Sequence, residues 1–269
     1  MESHTARKRA ELSGRATNVL DARTLASSHK RLAELLTEGI NVLDVGCGTG
    51  AITQGIAKCV GSSGRVIGVD SNPALIEKAI QAFGDIPGLS FQVADIFQLP
   101  FQEEFDIVTS ARVIQWLSEP VIALSSLKES TKPGGRILIL DYNHEKIQWE
   151  PEPPPSMKVF YTAFLKWRSD AGMDNAIADH LPQLFQQIGI DEILITPQHE
   201  TVTRIDEDFV ARSSIWADVA ASRGLQMVHD GYITEGERAR AEMEYRDWLE
   251  NTAQAQTLYI AAVEGIKQH

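Results

Sequence analysis

The sequence predicts an α/β fold in which a doubly wound, seven-stranded and mostly parallel sheet, with one antiparallel strand, carries helical cap insertions. Three observations predict it. Apolar runs ending in a polar residue or Gly recur at regular spacing, stretches of helical periodicity separate them, and 43% hydrophobic against 23% charged residues is the balance of an ordinary buried core. Strand alternating with helix favours parallel strands joined by right-handed crossovers, with helices on both faces. At 269 residues, one domain with a cap fits better than two equal domains.

The elements follow in order. Residues 1–38 read as an N-terminal helical cap, and the core proper runs over 39–142. Its strands are "NVLDVG" (41–46), "RVIGVD" (65–70), "LSFQVAD" (89–95), "FDIVTSA" (105–111) and "GRILILDY" (135–142). Between them, "NPALIEKAIQAF" starts a helix at Pro73, and "EPVIALSSLKES" is a helix that ends before a Pro133-Gly134-Gly135 turn. Residues 143–181 form a lid insertion entered through four prolines between Pro151 and Pro155. Residues 182–205 return to the core, with the helix of "DHLPQLFQQIG" closed by Gly189 and "IDEILITPQHETV" as one strand. A helical insertion covers 206–254, and 255–269 holds the final strand, "TLYIAAVEG".

Charge and cysteine content narrow the partners. A net charge of -12 (25 basic against 37 acidic residues) repels a phosphate backbone, so neither a nucleic acid nor an anionic membrane is expected, and the partner is a small molecule. Cys47 and Cys59 are too few for a disulfide framework or a four-Cys zinc site. With no apolar leader in "MESHTARKRAELSGR" and no run of about 20 apolar residues, a cytoplasmic location is expected. No His/Asp/Glu cluster has metal-ligand spacing, and no metal is expected.

The chemistry begins at "NVLDVGCGTG". Gly46, Gly48 and Ala51 satisfy the dinucleotide fingerprint, which keeps an NAD(P) oxidoreductase as a second reading. In that fold a pyrophosphate sits at the helix N-terminus, and the carboxylate of Asp44 just ahead of the loop opposes it. A ligand with positive charge and no phosphate, such as the ammonium and sulfonium of S-adenosylmethionine, removes the conflict. Here the chain resembles the class I S-adenosylmethionine-dependent methyltransferases, in the ubiquinone/menaquinone-type small-molecule branch. "VLDVGCGTG" matches their first motif, followed in order by Asp70 in "VIGVDSNP", Asp95 in "VADIFQLPF", "FDIVTSARVIQWL" and "PGGRILIL".

The resemblance implies a Rossmann-like core and S-adenosyl-L-methionine as cofactor, with S-adenosyl-L-homocysteine as product. It implies that Asp44 faces the methionine end, that Gly46 and Gly48, with Cys47 and Gly50 in the same loop, admit the cofactor, and that Asp70, beside Ser71 and Asn72, accepts the ribose hydroxyls. Asp95 then contacts the adenine amino group and Ile96 packs beside the ring, with Ala111 at the fourth strand's exit. Arg23 is placed by analogy of fold at the cofactor carboxylate. A ribose diol offers two adjacent donors, which one carboxylate at a strand end accepts. Helix capping accounts equally for Asp70 alone, but not for the whole spaced set.

The acceptor is narrowed by missing motifs. "TSARVIQW" has no Asn/Asp-Pro-Pro-aromatic box of base amine methylation, and neither cysteine follows a proline as cytosine-C5 methylation requires. A small apolar or aromatic acceptor remains, with O-methylation favoured over N or C. Six of the 19 aromatics fall between Tyr142 and Trp167. Trp116, Tyr142, Trp149 and Tyr161 are the acceptor-binding candidates, while Phe160, Phe164 and Trp167 share one helix face and read as core. His144 and Tyr142 are the candidates for acid-base work, with His29 and His180 behind them. A non-catalytic module that binds the cofactor is the third reading.

Overall fold

The computed structural model describes residues 4–10 and 23–268. Its strands in chain order are β1 (Asn41–Val45), β2 (Arg65–Asp70), β3 (Leu89–Val93), β4 (Phe105–Ala111), β5 (Thr131–Tyr142), β6 (Gln148–Glu150), β7 (Ile190–Pro197), β8 (Glu200–Thr203), β9 (Ala255–Leu258) and β10 (Ile260–Lys267). The described α-helices are α1 (His4–Ala10), α2 (Leu25–Ser28), α3 (Lys30–Leu35), α4 (Thr53–Val60), α5 (Pro73–Phe83), α6 (Pro120–Ser130), α7 (Pro155–Ser169), α8 (Ile177–Gln187), α9 (Phe209–Ser213), α10 (Ile215–Ala221), α11 (Arg223–His229) and α12 (Glu235–Asn251).

Seven strands form one sheet in the order β3-β2-β1-β4-β5-β10-β7. All run parallel except β10, which pairs antiparallel with β5 on one side and β7 on the other. The strands are apolar throughout because both faces are covered. Leu43, Val45, Ile67, Val69 and Val108 face one core with Leu124 and Leu127 of α6 and Leu181 and Phe185 of α8. Their neighbours Val42, Val66, Ile107 and Leu138 face the other, with Ile56 and Val60 of α4 and Ile76 and Ala79 of α5. Helix α5 starts where expected: Pro73 opens it, and Asn72 Oδ1 accepts the Ala74 N–H at 2.9 Å.

The structure differs from the sequence-based expectation in four places. "IDEILITPQHETV" is two strands, because β7 stops at Pro197, which has no N–H to extend a ladder, and β8 joins a second sheet, β6-β9-β8. "TLYIAAVEG" likewise divides at Tyr259 into β9 and β10, one strand for each sheet. Pro133-Gly134-Gly135 is an irregularity within β5, where pairing jumps from Phe105 with Thr131 to Ile107 with Arg136. Helix α8 begins inside the expected lid yet packs on the sheet through Ile177 and Leu181.

The lid and the helical insertion form one cap. Phe160, Phe164 and Trp167 of α7 share a core with Trp216 of α10 and Tyr245 and Trp248 of α12. Among the described residues, no helix is long and apolar enough to cross a membrane.

The N-terminal helices are tied to the central antiparallel strand by charge. Glu264 on β10 is 1% exposed and receives Arg31 Nε and Nη2, both at 2.8 Å, and Arg136 Nη1 at 2.6 Å. Removing one partner of such a pair strands the others in a poorly solvated place. Glu264→Ala is expected to lower the unfolding free energy by about 2 kcal/mol, read as a lower urea midpoint at unchanged slope.

Candidate active site

A cavity of about 600 Å³ opens at the carboxyl ends of β1, β2, β4 and β5, the edge where open α/β sheets hold ligands. Its lining includes Arg23, Asp44, Gly46, Cys47, Gly48, Asp70, Ser71, Asn72, Asp95, Ile96 and Ala111, together with Trp116, Tyr142 and His144. Three expected site residues lie outside its lining. Gly50 has φ +79° and faces the Phe91 ring, 2.8 Å from where a Cβ would stand, so it packs beneath the loop. Trp149 and Tyr161 belong to the cap core, where Trp149 Nε1 donates to Tyr245 Oη at 3.1 Å and Tyr161 Oη donates to the His144 carbonyl at 2.6 Å. Of the secondary histidines, His29 is buried against Thr109 Oγ1 at 3.1 Å and His180 is exposed beside Asp174 at 2.6 Å.

Among the described residues, no cation pairs with either of the first two strand-end acids. Asp44 is 4% exposed, and its side-chain partner is Thr53, whose Oγ1 donates at 2.7 Å. Burial, with the charge of Asp70 adding to it, lifts the Asp44 carboxyl to about 6. Asp70 is also pushed up by burial, although the Gly48 and Asn72 N–H groups donate to its two oxygens at 3.0 and 2.9 Å. These donors fix the carboxylate at the cavity wall, where each oxygen keeps a lone pair for a diol. Asp95 accepts the Phe97 N–H at 3.0 Å and lies 3.6 Å from Arg7 Nη1 of α1.

The loop itself is shaped as a cradle. Gly46 has φ +77°, and a Cβ there would stand 2.3 Å from Val113 Cγ2, so only glycine fits and the backbone lies bare to the cavity. A buried carboxylate that wants a cation, a second one poised for a diol and a loop whose glycines present bare backbone fit S-adenosylmethionine. A dinucleotide's pyrophosphate would meet Asp44 instead.

At the far end, Gln115 Nε2 donates to the Arg112 carbonyl at 3.2 Å, which leaves its Oε1 to accept from His144 Nε2 at 2.6 Å. This pattern assigns the proton to Nε2 and leaves Nδ1 as the acceptor. Burial, and then the Arg168 charge, hold His144 well below the usual histidine range, so the ring is neutral at pH 7. It stacks on Tyr142 at 5.2 Å and meets Phe164 and Trp216 edge-on. Sequence reasoning did not assign Arg112, Phe164, Trp216 or Arg223 to the site, yet all four line the cavity. Arg112 stands within "TSARVIQW" and has φ +63°, a conformation no pattern reveals. Trp216 and Arg223 arrive from an insertion more than 70 residues beyond Tyr142 with no local signal. Among the described residues, no three His, Cys, Asp or Glu groups stand close enough to hold a metal.

Two outcomes are expected. Asp70→Ala weakens S-adenosylhomocysteine binding about 10- to 100-fold by calorimetry, through the loss of one or two charged hydrogen bonds. A cationic ligand held by Asp44 needs that carboxylate ionised, so S-adenosylmethionine affinity is expected to fall as pH drops through about 6, and Asp44→Asn is expected to bind weakly without that pH dependence.

Comparison with known proteins bears on the same residues. The family described as a methyltransferase domain matches residues 36–187. An uncharacterized methyltransferase of Schizosaccharomyces pombe is 43% identical over 105 residues, covering 36% of this chain and 37% of its own. The ubiquinone/menaquinone biosynthesis C-methyltransferase UbiE of Idiomarina loihiensis is 34% identical over 109 residues, covering 39% and 43%. The chain thus spans less than half the length of these curated relatives. In fold, it resembles the YcgJ protein of Bacillus subtilis (TM-score 0.57, 18% identity, 88% of this chain and 96% of that one). It also resembles the Haemonchus contortus phosphoethanolamine N-methyltransferase 2 solved with S-adenosylhomocysteine (TM-score 0.55, 16% identity, 89% and 52%). A family match over more than half of the chain, centred on the glycine loop and the sheet that builds the cavity, makes this chain a member of the S-adenosylmethionine-dependent methyltransferases.

Proposed function

We propose that the protein methylates a small aromatic or enolic molecule at a hydroxyl oxygen. The observation that carries this reading is the continuity of one cavity from Asp44 and Asp70 to Trp116, Tyr142, His144 and Trp216. Cofactor and acceptor therefore share a single space, dry and aromatic at the acceptor end. Bound S-adenosylmethionine supplies an electrophilic methyl group on a sulfonium. The chain's part is to align the acceptor with it and to take up the acceptor's proton.

Asp44 holds the methionine ammonium, Asp70 the ribose, Asp95 the adenine amino group, and Arg23 the carboxylate. Ring faces of Trp116, Phe164 and Trp216 clamp a planar acceptor. His144 Nδ1 accepts the hydroxyl proton, because its tautomer is set by Gln115 and its ring is held by Tyr142. Tyr142 Oη accepts from Arg112 Nε at 2.9 Å and so offers its own hydrogen to the acceptor. A second reading, ring C-methylation through the same deprotonated hydroxyl, is favoured by the likeness to the Idiomarina C-methyltransferase.

The test is turnover. Purified protein incubated with S-adenosylmethionine and a panel of phenols, quinols, enols and amines should release S-adenosylhomocysteine with hydroxyl acceptors, and mass spectrometry with NMR of the product separates O- from C-methylation. Cofactor binding without turnover on any acceptor would favour a non-catalytic module. His144→Ala should lower kcat/KM on a hydroxyl acceptor by about 100-fold while S-adenosylhomocysteine still binds. Unchanged turnover would remove His144 from proton transfer.

A further inference from the structure

His144 is held at nearly every polar atom. The Asn175 carbonyl accepts its backbone N–H at 2.7 Å, its own carbonyl accepts from Tyr161 Oη at 2.6 Å, and Nε2 donates to Gln115 Oε1 at 2.6 Å. Among the described residues Nδ1 alone is left without a partner, on a side chain that lines the cavity. Gln115 is engaged to the same degree. It is 2% exposed, gives its backbone N–H to Asp141 Oδ2 at 3.1 Å and Nε2 to the Arg112 carbonyl at 3.2 Å, and its carbonyl accepts from Arg168 Nη2 at 2.8 Å. Arg168 closes the circuit between the two. From α7 of the cap it gives Nε to Asn175 Oδ1 at 2.8 Å, and Asn175 Nδ2 donates in turn to the Leu165 carbonyl at 3.0 Å and to Ser169 Oγ at 2.9 Å. One guanidinium thus grips the residue that holds the His144 backbone and the residue that sets its ring.

Packing alone does not account for Arg168. It is completely buried, among the described residues Nη1 has no partner, and burial, followed by the Arg223 charge, pulls the group down to about 9. A charge in such a place is unfavourable, and apolar side chains of similar volume often fill a core with equal or greater stability. What no apolar residue supplies is a rigid, planar fork that holds two acceptors at a fixed spacing and angle. Here the fork meets Asn175 and Gln115, and its face lies 4.5 Å from the centroid of Trp116, a wall of the cavity. Three segments distant in the chain converge on it: the turn after β4 with Gln115, the turn after β5 with His144, and the cap helix α7 with the loop that follows it. The cap is therefore joined to both core turns at this side chain.

We propose that Arg168 and Asn175 are positioning residues for proton transfer, which lock Gln115 and the His144 backbone so that His144 keeps its proton on Nε2 and presents Nδ1 to the methyl acceptor. This rests on the reading of His144 as the group that takes the acceptor's proton, and it adds the residues that hold that group in place. Neither Arg168 nor Asn175 lines the cavity, so both act through His144 and Gln115 and not on a bound molecule. The base is then assembled only when α7 is docked against the two core turns.

The test reads the tautomer directly, by two-bond proton–nitrogen correlation NMR at pH 7 on the full chain labelled with 15N-histidine, with the His144 signals assigned by their loss in His144→Ala. The wild type should show one protonated and one bare nitrogen, the proton on Nε2. Arg168→Lys keeps the charge and loses the fork, and Asn175→Ala keeps the backbone carbonyl and loses the side chain that Arg168 holds. In both, the two nitrogen signals should move toward each other and the Nε2–H should exchange with water at least about tenfold faster, while S-adenosylhomocysteine affinity stays within about threefold of wild type. In the wild type itself, the Arg168 Nε–H and the backbone N–H groups of Gln115 and His144 should show protection within about tenfold of one another, because one opening releases all three. A proton on Nδ1, an unprotected Arg168 Nε–H, or wild-type tautomer and exchange in Arg168→Lys overturns this assignment alone, the first two whether or not a variant folds. Turnover unaffected in His144→Ala overturns the proposed proton transfer and this assignment together.

Discussion

A carboxylate buried with no cation beside it among the described residues is the constraint around which this protein is arranged. Asp44 stands one residue before the end of strand β1, 4% exposed, with a hydroxyl donor from Thr53. An isolated charge in such a place costs several kcal/mol unless a partner of opposite sign arrives or a proton neutralises it. The raised pKa of Asp44 is that cost expressed as proton affinity. Asp70 at the end of the neighbouring strand adds to the negative potential at this sheet edge. The glycine loop answers the same demand sterically, since Gly46 leaves no room for a side chain beside Val113 and the ligand meets bare backbone.

From that edge the cavity changes character along its length. Arg112, in a left-handed conformation directly after β4, turns its guanidinium back to Tyr142 Oη, the Ser28 carbonyl and Glu200, and so joins β5, α2 and β8 at one point. Its carbonyl orients Gln115, Gln115 orients His144, and Asp141, buried on β5, receives the Gln115 N–H at 3.1 Å. The part of the cavity around Tyr142 and His144 is therefore a connected polar network set within aromatic walls. Such a network loses little by reorganisation when a substrate binds, which is the physical content of preorganisation.

The cap supplies the walls and has a core of its own. Trp167, Phe164 and Phe160 on α7 are at most 2% exposed, as their shared helix face implies, but Phe164 also reaches the cavity. One side chain thus packs the cap and shapes the cavity, which couples the cap's integrity to the cavity's form. Tyr161 does so indirectly, through its hydrogen bond to the His144 carbonyl.

Much of this was legible in the sequence because it is local. The strands of the parallel sheet are uninterrupted apolar runs, their helices carry caps and periodicity, and the residues proposed for the cofactor sit at strand ends, a position that the pattern itself marks. Asp44, Gly46, Asp70 and Asp95 were readable for that reason. The small sheet β6-β9-β8, the division of the last two apolar segments, and the withdrawal of Trp149 and Tyr161 into the cap core depend on which distant segments pair, and no window of sequence records that. Trp216 and Arg223 reach the cavity from a late insertion. The sequence by itself determined the parallel sheet and the strand-end carboxylates and glycines that line one part of the cavity, because they follow the chain direction. Tertiary structure alone decided its aromatic part, because those residues come from separate insertions brought together by burial of their aromatic faces.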